Sequence, residues 1–308
     1  MGANPPSGVQ IYYTLKQSNQ EVTLDFLDAA GKVIKSFSSK GDSSAAVGRG
    51  GRGNRTGTDS TATPAVDDEG PRRAPPVPRV SNKAGLNAFA WNMRYPDATT
   101  FDGMILWAGD TRGPLAPQGT YSVRMTVNNG VAQTQTFRLL NDPRSDATAA
   151  DQLAQFNFLI KIRDRVTEAN EAVVSMRYVK SEVDDRLKRS PPTALSELTA
   201  NGTHLKTTIT GVEAEVYQLK NQSGQDPLNY PIKLNNKIAA LSGSVGSAPG
   251  RPTAQAVQVF NELSGKLDTQ TGKMKKIYSD DLAKFNALLK KYGLPEIKTK
   301  PDKPKIAA

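Results

Sequence analysis

Two pairs of adjacent acids, Asp184-Asp185 and Asp280-Asp281, and one histidine, His204, carry the groups best suited to chemistry in this 308-residue chain. Paired carboxylates do acid–base work or hold a metal when they converge on one atom. Neighbours on a helix point about 100° apart, so both pairs read as solvated faces. A di-metal centre in a helical bundle needs Glu-x-x-His motifs from facing helices, and the sequence carries none. His204 follows Asn201-Gly-Thr beside Leu205, with no acidic or hydroxyl partner at a recognisable spacing. Without cysteine there is no disulfide framework, thiolate nucleophile or thiolate-bound metal. The reading nominates no catalytic, cofactor-binding or metal-ligating residue, and expects no cofactor.

Binding offers more candidates. Gly48-Arg-Gly-Gly-Arg-Gly-Asn-Arg55 is similar to an Arg/Gly RNA-binding tract, but such tracts repeat and interleave aromatic rings for base stacking. This one is a single short copy without an aromatic, followed by Asp67-Asp68-Glu69. The net charge of +10 is spread over both halves as a generic basic surface. Nucleic acid is therefore the weaker expectation, and the tract reads as a solvated loop. Trp91 and Trp107, with Tyr12, Tyr13 and Tyr95, could form a sugar-stacking platform. The alternative reading, and the preferred one, makes Trp91 a core anchor. It leaves Trp107, Tyr95 and Arg112 as a possible contact surface, with Trp107 exposed or between domains.

The elements that must position these residues change character near Asn141-Asp142-Pro143-Arg144. Before it, apolar residues alternate in short runs broken by Gly, Pro and Asn. Strands are expected at Val9–Leu15, Glu21–Leu27, Val33–Phe37, Gly85–Trp91, Met104–Trp107, Thr120–Val127 and Val131–Leu139. Asn128-Asn129-Gly130 is a hairpin turn. About seven short strands of this kind predict an immunoglobulin- or fibronectin-like antiparallel β-sandwich over 1–145. Residues 41–80, rich in Gly, Ser, Thr, Pro and charge, read as a flexible insertion.

After the switch, apolar residues recur every three or four positions. Leu159, Ile162, Val166, Ala169, Val173, Met176, Val183 and Leu187 form a heptad seam, interrupted by Lys180, on a helix from about Ala147 to Arg189. Such a helix is about 60 Å long. Pro191-Pro192 ends it and Thr193 can cap a second helix, with Leu198, Leu205, Ile209, Val212, Val216 and Leu219 on its seam. A third, shorter helix follows Pro231 with Leu234, Ile238, Leu241 and Val245. A fourth starts near Thr253 and runs to Tyr292, where Gly293 and Pro295 stop it. Two long and two short helices predict an elongated antiparallel bundle over 146–294, with 295–308 as a disordered Lys/Pro-rich tail. No apolar run approaches the roughly 20 residues that span a bilayer, and the N-terminus lacks the pattern of a signal peptide.

Several stretches together carry a resemblance: Asn4-Pro-Pro-Ser-Gly8 leading into Ile11-Tyr-Tyr13, Asn87–Pro96, Gly109–Tyr121, Arg163–Asn170, Leu228–Asn236 and Arg251-Pro-Thr253. The set resembles the C-terminal region of bacterial exported proteins whose N-terminal part is a sortilin-like β-propeller with BNR-type repeats, often labelled glycosyl hydrolases. The strand-rich half also looks like the immunoglobulin-like domain of flagellar hook-capping proteins. BNR repeats carry Asp-boxes, Ser-x-Asp-x-Gly-x-Thr-Trp, and this sequence has none. The resemblance thus implies that propeller-borne activity and the export signal lie upstream of this chain. It implies a periplasmic, cell-surface or secreted location.

Three functions compete on these grounds. The leading expectation is a non-catalytic accessory region that docks on the β-propeller of its parent, or on another surface protein, and mediates protein or glycan contacts. The second is a glycoside hydrolase, which would need two carboxylates about 5–10 Å apart across a cleft; no convincing pair can be named. The third is salt-sensitive nucleic-acid binding through Gly48–Arg55.

Overall fold

The structure is a computed structural model that describes residues 7–40 and 78–300. The Arg/Gly tract and Asp67-Asp68-Glu69 lie outside the described residues. The chain forms antiparallel sheets first and helices second. Strands β1 (Val9–Leu15) and β4 (Gly85–Trp91) pair as one sheet, and β2 (Val22–Leu27), β3 (Val33–Ser38), β5 (Gly119–Val127) and β6 (Gln133–Leu139) form the other, in the order β3-β2-β5-β6. Alternation decides which side chains go inward. Leu24 and Phe26 of β2, Tyr121 and Val123 of β5, and Phe89 and Trp91 of β4 share one buried core.

Aromatic rings fill that core. Phe26 stacks on Trp91 at 4.6 Å between centroids, Phe37 lies 4.8 Å from Phe89, and Trp91 reaches Tyr121 at 6.1 Å. Trp91 is fully buried, as its reading as an anchor expects. The β5–β6 hairpin turns through Asn128 and Asn129, both at positive φ, with Gly130 N–H donating to Val127 O. Its second strand begins at Gln133, not Val131, which is left almost wholly exposed. Val80, expected inside the solvated insertion, is buried in the β core and donates its N–H to Ser38 O.

The helices are α1 (Ala149–Lys188), α2 (Pro192–Val216), α3 (Leu234–Val245), α4 (Ala254–Ile277) and α5 (Ala283–Lys291). A π turn, Tyr278–Leu282, joins α4 to α5 as one continuous rod. Thr148 caps α1 and Thr253 caps α4, each accepting from the N–H three residues on. The expected Thr193 cap is displaced. A residue before proline is forced extended, so Pro191 becomes the cap and Pro192 the first helical residue. α2 also ends earlier than the spacing predicts: Tyr217 leaves the helix in an extended conformation and Leu219 is exposed. α1 packs against α2, α3 and α4 around Ile162, Val173, Met176, Leu205, Ile238 and Phe285. No helix among the described residues is long and apolar enough to cross a membrane.

Two further expectations are corrected. Met104–Trp107 forms no strand; Ile105 is buried in the helical core, and Met104 and Leu106 pack on it. The start of the expected disordered tail is held in place. Ile297 is buried, exchanges hydrogen bonds with the Asn286 side chain in both directions, and is followed by Thr299, whose O accepts from Ser175 Oγ. One apolar side chain and a few partnered carbonyls suffice to order residues that composition marks as solvated. Residues 301–308 lie outside the described residues.

Candidate functional site: the seam between the strand connection and the helices

Among the described residues, the connection from β4 to β5, residues 92–118, is the one part of the N-terminal half that enters the helical core. Its two arms first bond to each other. Tyr95 N–H donates to Pro114 O at 3.0 Å, Ala98 N–H to Thr111 O at 2.7 Å, and Ala116 N–H to Met93 O at 2.7 Å. Asp97 accepts from Gly113 N–H, and Arg94 donates to Gly113 O. The approach at Gly113 excludes any side chain, because a Cβ there would lie 2.0 Å from Tyr95 O.

The tip, residues 99–110, has no strand partner, so its backbone groups must find others. Side chains of the helices supply them. Thr99 N–H donates to Thr167 Oγ1 and Thr99 O accepts from Asn170 Nδ2. The Tyr217 hydroxyl accepts from Ile105 N–H at 3.0 Å and donates to Gly103 O at 3.2 Å. Asn236 clamps one residue from both sides: its Oδ1 accepts from Trp107 N–H at 2.7 Å and its Nδ2 donates to Trp107 O at 2.8 Å. Asn235 fixes that geometry, accepting from Asn236 N–H and donating to Asn170 Oδ1. Each such bond buried from water leaves a costly orphan if removed, about 1–3 kcal/mol.

Charge sits behind the amides. Glu213, almost wholly buried on α2, accepts from Arg177 Nε at 2.8 Å and from Lys180 Nζ at 2.5 Å. Lys180, the polar interruption of the α1 seam, thus faces a buried carboxylate. The Arg177 guanidinium also lies 4.7 Å from the Phe101 ring and 5.1 Å from the Tyr217 ring. Burial pushes the Tyr217 phenol above its usual value, partly offset by the Ile105 bond and the Arg177 charge. Chemically, the arrangement holds a backbone segment against three helices with a phenol, a threonine hydroxyl, three amides and an ion triad.

The expected contact residues all lie on this connection, but differ in what remains free. The Tyr95 ring packs edge-on against Phe156 of α1 at 4.7 Å. Arg112 folds back onto Asp110 in a two-pronged pair, with 2.8 Å between Nη2 and Oδ2. Partial burial pushes Asp110 up, but the Arg112 hydrogen bonds and the Arg112 and Arg94 charges prevail, holding it below the usual carboxylate range. Trp107 has its backbone clamped while the residue stays 41% exposed. The five-ring platform does not assemble: Trp91 and Tyr13 are buried, and Tyr12 stands on the outer face of β1.

The candidate acids go separate ways. Asp184 pairs with Lys206, Asp185 with Arg186 and Arg189, and Asp280 with Lys276. Asp281 lies 3.9 Å from exposed His204, an acidic neighbour that sequence spacing did not reveal. Sequence reasoning also missed Asn170, Tyr217, Asn235 and Asn236. Their signal was available: Asn170 beside Ala169, and Asn235-Asn236 beside Leu234, put polar groups at core-facing positions of apolar helices. Set beside known proteins, this chain matches no protein family, no curated protein and no solved structure.

Proposed function

We propose that this chain is a non-catalytic accessory region of an exported sortilin-like, BNR-repeat β-propeller protein, serving as a stiff mount that carries contacts to the propeller or another surface protein. The observation that carries this reading is the Asn236 clamp on Trp107, which fixes a half-exposed indole to a three-helix framework. A surface aromatic whose backbone cannot move loses little freedom on binding. Trp107 is therefore the contact anchor, with Arg112 beside it as a rim residue and Tyr95 spent on internal packing; glycan contact through the indole belongs to the same surface.

Two finer structural readings go with it. The β half is an immunoglobulin-like sandwich in which β1 and β4 take the places of strands B and E, and β3-β2-β5-β6 those of C′-C-F-G. Supporting this, Tyr121 at the start of β5 donates its hydroxyl to Pro117 O, four residues upstream, in the manner of a tyrosine corner. The helical half is an antiparallel bundle, with α2 and α3 together facing the two long rods. The test is association of the chain with the propeller of the same parent protein, followed by light scattering. Binding that weakens on Trp107→Ala supports the proposal, and no complex at high micromolar concentration overturns it.

A further inference from the structure

Among the described residues, strand β1 has β4 as its one strand neighbour, and no backbone hydrogen bond reaches its other edge. Such an edge is a template for another strand unless lysine, proline, a bulge or a cover blocks it. β1 reads Val-Gln-Ile-Tyr-Tyr-Thr-Leu, with no charge, proline or glycine. Edge strand β3, in contrast, carries Lys35, and its pairing with β2 shifts register between Phe26 and Leu27.

The face beside this edge is apolar as well. Tyr12 is 64% and Leu86 73% exposed, with exposed Ala88 opposite Tyr12 and exposed Ala90 opposite Gln10. On the inward face, Tyr13 and Leu15 are buried while Val9 and Ile11, nearer the strand's start, are covered in part. A two-stranded sheet with one such margin gains from further strands.

What fits this edge is set by its own sequence. Antiparallel pairing of β1 with a second β1 about Tyr12 places Val9 opposite Leu15, Ile11 opposite Tyr13, Gln10 opposite Thr14 and Tyr12 opposite Tyr12. Every inward apolar residue then meets an apolar residue, both polar residues meet each other, and the two exposed rings meet at the axis. The other edges fail this test. Pairing β4 with itself about Ala88 sets Asn87 against Phe89, and pairing β6 about Thr136 sets Gln135 against Phe137 and Gln133 against Leu139. We infer that β1 is a self-association edge: two copies of this chain join β1 to β1 antiparallel, making one continuous sheet β4-β1-β1-β4 across a two-fold axis.

Sedimentation equilibrium of the full chain should show a monomer–dimer equilibrium. Tyr12→Lys sets two ammonium groups face to face and should weaken it at least about tenfold. An unchanged far-UV spectrum and melting temperature would show that the fold survives. Mixing Tyr12→Lys with Tyr12→Glu should restore the dimer. Because the chain has no cysteine, introduced thiols report the register: Tyr12→Cys should cross-link to itself under mild oxidant. Thr14→Cys should not, yet it should cross-link to Gln10→Cys in a mixture. A chain that stays monomeric throughout overturns the inference, even if it captures an extended peptide from another protein. So does a dimer that Tyr12→Lys leaves unchanged, or a cross-link pattern that does not centre on Tyr12.

Discussion

The β core and the seam between residues 99–110 and the helices hold buried backbone in opposite ways. In the β core, strand ladders satisfy the main chain, and side chains are free to be large and apolar: Phe26, Phe37, Phe89 and Trp91 occupy its centre. In the seam no ladder exists, and Asn170, Tyr217 and Asn236 take over the ladder's task one residue at a time. The first arrangement draws on buried area and tolerates polar loss at its rim. The second rests on a few directional bonds, so single atoms matter more than area.

The largest effect should follow from breaking the aromatic side of this comparison. Trp91→Ala removes the fully buried indole that touches Phe26, Tyr121 and Phe137. A loss of about 4 kcal/mol is expected from the cavity and the lost transfer energy, measured by urea unfolding. Trp91→Phe should cost much less, because the indole N–H is buried without a partner among the described residues. The remaining tryptophan in both variants is Trp107. Its emission should keep its native wavelength until the helices melt, if the two regions are held by separate means.

The second effect sharpens the other side. Asn236→Ala leaves Trp107 N–H and O without their partner and should cost about 2 kcal/mol. The decisive measurement is local: amide exchange at Trp107 should accelerate, and its emission should shift to the red, while the β-core amides keep their protection. Asn236→Asp keeps the acceptor but sets a buried carboxylate oxygen against Trp107 O, and should cost at least as much as Asn236→Ala. If Asn236→Ala loosens the β core equally, directional bonds do not isolate the seam, and the contrast fails.

The same contrast explains what was legible in the sequence. Alternation and turn residues place β1, β4 and the β5–β6 turn within a residue or two, because burial on one face of a ladder writes a period of two into the chain. Heptad spacing places α1 and α3 equally well. Met104–Trp107 reads as a strand because Met, Ile, Leu and Trp in a row look the same whether their backbone is paired by a neighbouring strand or by distant side chains. Tyr217 and Asn236 meet that run from more than 100 positions away, and no local pattern records such a pairing. Residue type alone marks Tyr95, Trp107 and Arg112 as carrying contact chemistry. Which of them stays free depends on Phe156 and Asp110, and hence on the fold.

The smallest effect tests whether a single directional bond matters in the aromatic core as it does in the seam. The Tyr121 hydroxyl donates to Pro117 O at 2.8 Å. Burial, and then the neighbouring Tyr95 and Asp28, push its phenol from 10.0 up to about 12. Tyr121→Phe should cost about 1 kcal/mol at neutral pH. The sign with pH follows from the raised value. Below about pH 10 both folded and unfolded chains keep the proton, and the hydroxyl's contribution is complete. Between pH 10 and about 12 the unfolded chain releases the proton and the folded chain retains it, so this contribution declines. Unfolding curves for the two proteins should therefore converge across that window. A gap that stays constant would mean that the phenol ionises in the folded protein as it does in water, and that the β core is wetter at Tyr121 than its packing indicates.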